Sequence, residues 1–87
     1  MPQDYAEALQ WYRKAAEQGY ADAQYELGLM YHASEGVPRD HVRAHMWFNL
    51  AAATLGKAIK YRDYVAALMT PEQIAEAHRL AREWKAK

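Results

Sequence analysis

The feature that most constrains this chain is an internal repeat, in which the first helix-like segment returns 36 residues later. Pro38 follows Pro2 at this spacing, and Trp47 follows Trp11 in the same way. A pair of adjacent alanines follows both tryptophans at the same distance. Repeats of about this length build solenoids of stacked helical hairpins, whose extended surfaces bind partners. The repeat therefore predicts a binding protein rather than an enzyme.

The composition fits one small unit and excludes several classes of function. The chain has 87 residues, of which 52% are hydrophobic and 13% aromatic. Basic and acidic residues balance at 11 each, so the basic stripe typical of nucleic-acid binding is missing and we expect no nucleic-acid partner. Because the chain has no cysteine, a disulfide framework and a thiolate metal site are both excluded.

We expect no membrane span and a soluble protein. The longest apolar stretch, residues 46–55, is well short of the roughly 20 residues that a spanning helix needs. The N-terminus also lacks the basic start and apolar run of a secretory signal. The chain begins halfway through a repeat, as a fragment does, so a cytoplasmic or a periplasmic location remains open.

Apolar periodicity and capping signals predict five helices. The expected ranges are about 3–18, 21–33, 39–55, 57–69 and from residue 70 onward. Asp4 and Asp40 are expected to cap the first and third helices. Gly19 and Gly56 are expected to end the first and third helices. The clearest start is Thr70–Gln73, which combines a threonine cap, a proline and a capping-box glutamine.

The aromatic and aliphatic stripes predict a packed core. Gly28 in the second helix is expected to let a neighbouring helix approach closely. The residues expected to pack in the core are Trp11, Tyr12, Tyr31, Trp47 and Phe48. Those expected to pack the fourth helix are Tyr61, Tyr64, Val65 and Leu68. The last helix is expected to pack through Ile74, Ala77, Ala81 and Trp84, with its other side polar, as in a terminal cap.

Several stretches of the chain resemble the Sel1-like repeat (SLR) family, a class of tetratricopeptide-like helical hairpins. They are Asp4–Ala8, Trp11–Gly19, Ala21–Tyr31 and Gly36–Pro38. The resemblance covers Pro2–Gly56, and the segment Met69–Ile74 is similar to the ending of bacterial members. The resemblance implies an all-α, right-handed α-α superhelix with a C-terminal capping helix. It also implies a concave face that binds protein or peptide partners, and neither catalytic residues nor a cofactor.

The resemblance and the repeat divide the single unit, residues 1–87, into four parts. These are a half repeat (1–19), a full repeat (20–56), a degenerate half repeat (57–69) and the capping helix (70–87). The first half repeat lacks the other helix of its hairpin. We therefore expect uncovered apolar surface at this end, which favours self-association into a homo-oligomer.

A candidate partner-binding groove follows from the helix that lines the inner surface in this fold. It combines one face of the second helix with positions 37 residues later. Its residues are Asp22, Tyr25, Leu29, His32, Ile59, Arg62 and Ala66. Aromatic and arginine side chains are favoured anchors at interfaces. An alternative remains open, in which these side chains only cover a neighbouring helix.

Candidate catalytic and metal sites are few. His41 and His45 have the i, i+4 spacing at which two imidazoles can share a metal ion, but a third ligand is not evident. We interpret them as partly exposed helix histidines and expect no metal. Ser34 is the only serine and lacks the glycine-flanked turn of a hydrolase nucleophile. A scaffold for a protein or peptide partner is thus the leading hypothesis, and a structural cap or self-assembly fragment of a larger repeat protein, without its own partner, is the alternative.

Overall fold

A computed structural model of the chain describes residues 4–86. Within this range the regular structure is entirely helical, which confirms the predicted all-α class. The helices are α1 (Tyr5–Glu17), α2 (Ala21–Ala33), α3 (His41–Ala51), α4 (Gly56–Ala66) and α5 (Pro71–Glu83). Helix α4 begins at the last residue of the predicted full repeat, and the division into repeats stays a prediction.

The three predicted side-chain caps, at Asp4, Asp40 and Thr70, are confirmed. The Asp4 carboxylate accepts a hydrogen bond from the Glu7 backbone N–H at 3.1 Å. In the same way, the Asp40 carboxylate caps α3 by accepting a hydrogen bond from the Arg43 backbone N–H, three residues later. Thr70 and Gln73 form the complete capping box of α5, with bonds of 3.1 and 2.9 Å. Gln3, predicted as the start of the first helix, lies outside the described residues.

The predicted end of the third helix is wrong. α3 ends at Ala51, and Gly56 is the first residue of α4 rather than a stop. The backbone N–H groups of Thr54 and Leu55 both donate to the Ala51 carbonyl, at 3.1 and 2.9 Å, and this turn closes the helix early. Gly19, by contrast, has a φ of +99° directly after α1, so there the glycine does end a helix, as predicted.

Helix α3 is the centre of the fold, because it packs against α2, α4 and α5. The largest fully buried side chains are Phe48 of α3, Leu27 of α2 and Val65 of α4. Gly28 allows the close approach that the sequence predicts: a Cβ at this position would lie 2.7–3.0 Å from three ring carbons of Phe48. The missing side chain of Gly28 therefore sets the spacing between α2 and α3.

Trp11 is not part of the core, which corrects the sequence prediction. Its side chain is 64% exposed, whereas the repeat-equivalent Trp47 is buried. Trp47 is covered partly by Trp84, at a ring-centroid distance of 6.2 Å. The side of α1 that carries Trp11 has no neighbouring helix within residues 4–86, so its indole lies against solvent.

Helix α5 packs mainly on α3. Ala77 is fully buried there, and the other members of the predicted stripe, Ile74, Ala81 and Trp84, are half-buried. Arg79 lies on the polar side, where it forms ion pairs with Glu76 and Glu83. This one-sided packing agrees with the predicted cap, and it leaves much of α4 uncovered.

Candidate partner-binding surface

Helices α2 and α4 both pack against α3, and their side chains meet around Phe48. The Phe48 ring stacks on Tyr61 of α4, with centroids 5.7 Å apart and an angle of 26° between the planes. The same ring lies 5.9 Å from Tyr25 of α2. Phe48 thus contacts both helices and fixes where the side chains on their outer side lie.

Tyr25, a predicted groove residue, supports α4. Its side chain is only 8% exposed, and its ring meets the edge of Tyr61 at 5.8 Å. The Lys57 ammonium lies 4.5 Å from the centre of the Tyr25 ring, in cation–π geometry. Burial raises the pKa of the Tyr25 phenol, and the nearby Tyr61 and Glu26 raise it further. For Tyr25, these contacts agree with the alternative interpretation from the sequence, in which the side chain only covers a neighbouring helix.

Leu29 and His32 lie further along α2 and are both partly exposed. The His32 ring meets Tyr64 of α4 edge-on at 5.5 Å. Burial lowers the pKa of His32, with smaller contributions in the same direction from His41 and Arg39. Asp22, in the first turn of α2, is exposed. These residues form the α2 side of an accessible surface.

The predicted α4 members do not join that surface. The Arg62 guanidinium donates to the Asn49 side-chain oxygen at 3.1 Å and to the Asp63 carboxylate at 3.2 Å, so it is directed toward α3 and its own helix. Ile59 is 41% exposed and Ala66 is half-buried. Because helix positions advance by about 100° per residue, Ile59 lies on roughly the opposite side of α4 from Tyr61 and Tyr64.

Four other residues, in α4 and the turn that follows it, lie on the side of α4 toward His32. We name this row the α4 stripe; it consists of Lys57, Tyr61, Tyr64 and Leu68. Tyr64 is 56% exposed and Leu68 52%. Of the residues predicted to pack α4 into the core, only Val65 is buried, because the side that carries the others is not covered by α5.

The sequence reasoning missed the α4 stripe because it assigned Tyr61, Tyr64 and Leu68 to the core and used an offset of 37 residues between α2 and α4. These helices begin 35 residues apart, at Ala21 and Gly56, and not 37. At the shorter offset Tyr64 aligns with Leu29, and Lys57 aligns with Asp22. The two buried alanines, Ala23 and Ala58, are also 35 residues apart and were the signal that could have revealed it.

The two candidate metal histidines have different neighbours. His41 lies 6.2 Å from His32 by ring centroids, and His45 lies 5.2 Å from His78 of α5. His45 is 2% exposed, so its interpretation as a partly exposed histidine is wrong: α5 covers it. Burial lowers its pKa to about 4, assisted by His78 and Arg62 and opposed by Asp63. In residues 4–86 no three histidine, cysteine or acidic side chains lie close enough to hold a metal ion.

A shallow groove of about 540 Å³ lies on the other side of the fold, between α1 and α3. Leu27 and Tyr31 of α2 are part of its lining, together with Trp47. The Arg13 guanidinium donates to the Tyr31 hydroxyl at 3.4 Å, which closes part of the space.

The described helices include none that is both long and apolar enough to cross a membrane.

A comparison with protein-family models matches the chain twice to the Sel1 repeat, over residues 1–20 and 21–53. A solved structure with an SLR fold, a protective antigen from uropathogenic Escherichia coli strains, superposes with a TM-score of 0.90 at 35% identity. The superposition covers 93% of this chain and 18% of the antigen. It confirms the predicted helical repeat fold, including the C-terminal region.

Curated relatives share shorter segments. Chitin synthase regulatory factor 3 of Schizosaccharomyces pombe is 44% identical over 52 residues, which is 60% of this chain and 6% of that protein. DAP3-binding cell death enhancer 1 of Rattus norvegicus is 44% identical over 41 residues, 47% of this chain and 8% of that protein. Chitin synthase regulator SKT5 of Malassezia restricta is 41% identical over 51 residues, 59% of this chain and 4% of that protein. These relatives are eukaryotic, so a bacterial origin for this chain stays a prediction.

Proposed function

Because this chain belongs to the Sel1 repeat family, we propose that it is a non-catalytic scaffold that binds a protein or peptide on the face formed by α2 and α4. The observation that carries the proposal is the α4 stripe, in which apolar side chains are exposed together. Exposed apolar patches on small proteins mark interaction sites. Leu29 and His32 continue this patch on α2.

The names of the relatives support a role in recognition. Two are named as regulators of chitin synthase and one as a DAP3-binding protein. This chain spans less than a tenth of the length of these proteins, so we do not assign their partners to it. Non-catalytic binding also agrees with His45, because its pKa is lowered mainly by burial against α5 and not in an open cleft.

The test is photo-crosslinking from defined positions. p-Benzoylphenylalanine replaces Tyr64 in one variant and Lys14, an exposed residue of α1, in the control variant. After irradiation in a lysate of the source organism, crosslinked peptides are identified by mass spectrometry. We expect one protein to crosslink at Tyr64 and not at Lys14. Equal crosslinking at both positions, or none at Tyr64, would refute the proposed surface.

A second candidate function, a structural cap or self-assembly piece, is favoured by Trp11. A tryptophan that is 64% exposed on a helix with one open side is suited to contact another subunit or repeat. Sedimentation velocity tests this directly: a dimer that dissociates in Trp11→Glu, but not in the control Lys14→Glu, would support assembly through α1. A monomer over the whole concentration range would exclude it for this chain.

A further inference from the structure

We infer that the α4 stripe binds an amphipathic helix with acidic residues beside its apolar face. This inference rests on the proposed function and adds the chemistry of the partner. Three features of the surface carry it: its rigid aromatic anchors, its position on a helix pair that already holds another helix, and its unpaired lysines.

The aromatic side chains of the stripe are already held in place. Tyr61 is stacked on the buried Phe48 ring, and Tyr64 is held edge-on by His32. A tyrosine that is fixed before binding loses little conformational entropy on contact, which makes it an effective anchor. Leu68, in the turn that follows α4, extends the apolar row beyond Tyr64. The row thus offers three large side chains to a partner.

The helix pair indicates a helical partner. On their inner side, α2 and α4 together hold α3, whose Phe48 lies between Tyr25 and Tyr61. The outer side of these two helices is not covered by α3, and a helix packs on another helix at about 8–10 Å between axes. The stripe residues follow i, i+4, i+7 and i+11 spacing and extend over about 16 Å, which equals three turns of a bound helix. An apolar face at i, i+4, i+7 and i+11 of a bound helix matches this length.

Two exposed lysines at one end of the stripe favour an acidic partner. Lys57 and Lys60 are exposed at its N-terminal end, and in the described part of the chain neither ammonium has a carboxylate within ion-pair distance. The Lys57 ammonium is held over the Tyr25 ring, close to the apolar row. The first turn of α4 contains no acidic residue, and its cap residue Leu55 offers no side-chain hydrogen bond. Carboxylates of a partner are therefore attracted to this end.

The test uses three labelled peptides of about 15 residues, each designed to be helical. The first carries leucines on one face with flanking glutamates, the second has lysine in place of each glutamate, and the third has glutamine in place of each leucine. Binding to the whole chain is measured by fluorescence anisotropy. We expect the acidic amphipathic peptide to bind at least about tenfold tighter than either of the others.

Variants of the chain locate the binding site. Tyr64→Ala/Leu68→Ala should weaken the acidic peptide at least about tenfold, because it removes two exposed anchors. Ile59→Ala, at an exposed position on the opposite side of α4, is the matched control and should leave affinity unchanged. Lys57→Glu/Lys60→Glu should reverse the preference toward the basic peptide. All the changed side chains are exposed, and circular dichroism verifies that each variant is folded.

Several outcomes would overturn the inference. They are binding of none of the three peptides, equal binding of the acidic and basic peptides, and binding that persists in Tyr64→Ala/Leu68→Ala. A dimer of the free chain that dissociates in Tyr64→Ala would assign the stripe to a second copy instead. If a partner crosslinks at Tyr64 but through a segment that is not an acidic amphipathic helix, this inference fails and the proposed function stands.

Discussion

Replacing Gly28 with alanine tests the packing that places α2 and α4. The new Cβ would lie 2.7, 2.8 and 3.0 Å from three ring carbons of Phe48. That ring is fully buried and is in contact with both Tyr25 and Tyr61, so it has no free space to move into. The methyl group must therefore push α2 away from α3 or tilt the ring out of its stack.

Two opposing effects determine the magnitude. Overpacking a filled core costs about 1–3 kcal/mol, and a rigid, enclosed ring places this site at the upper end. Alanine has a higher helix propensity than glycine, which offsets about 1 kcal/mol of this cost. We expect Gly28→Ala to lose about 2 kcal/mol of unfolding free energy, which lowers the melting temperature of a domain this size by about 10 °C. Urea unfolding followed by circular dichroism measures the change.

Two further variants make the result specific. Gly56→Ala is the matched control: a Cβ there meets nothing within 4 Å, so the substitution should stabilise the chain by about 0.5 kcal/mol. Phe48→Leu combined with Gly28→Ala should cost less than the two single changes added together, since the smaller side chain makes room for the methyl group. A Gly28→Ala chain as stable as the parent would refute the argument.

Three other predictions concern α5 and its contacts. Because burial lowers the pKa of His45 to about 4 from an unfolded value of 6.5, stability should be constant above pH 6.5 and fall between pH 6.5 and 4, by about 3 kcal/mol in total; a His45→Gln chain with the same pH profile in urea unfolding would contradict this. Trp84→Ala should lose about 2 kcal/mol, since it removes the half-buried indole that covers Trp47, and a thermal melt shifted by less than about 2 °C would argue against that contact. Thr70→Ala should cost about 1 kcal/mol by removing the bond to the Gln73 N–H, whereas Thr70→Ser should retain most of it; equal loss in both variants would show that the cap is not the cause.

The sequence predicts the helices well where a side chain caps them. Asp4, Asp40 and Thr70 each accept a backbone hydrogen bond as their positions indicate. Gly28 is likewise recognisable as a place of close helix approach. The caps depend on residues near in sequence, so a local pattern contains the necessary information. Gly56 was misjudged because the turn before it ends α3, and glycine occurs at both ends of helices.

The candidate surface was only partly predictable, because exposure depends on which helices pack together. Leu29 and His32 were identified from their side of α2. Tyr64 and Leu68 look like core residues by spacing, and only the packing of α5 on α3 leaves them open. Trp11 follows the same logic, since its exposure depends on the absence of a neighbouring helix in the described range. A hydrophobic period identifies a face but not its neighbour.

The one-sided packing of α4 also has a consequence for local stability. Ala58 and Val65 are its only buried side chains, whereas α3 buries six. A helix with so few buried contacts opens at a lower free energy than the whole domain, so its amide hydrogens exchange with solvent before those of α3. Of these two helices, α4, which carries the proposed binding surface, is thus the one that opens more easily. A ligand on the α4 stripe would slow this exchange and reveal itself through amide protection, because each opening that releases the ligand becomes rarer.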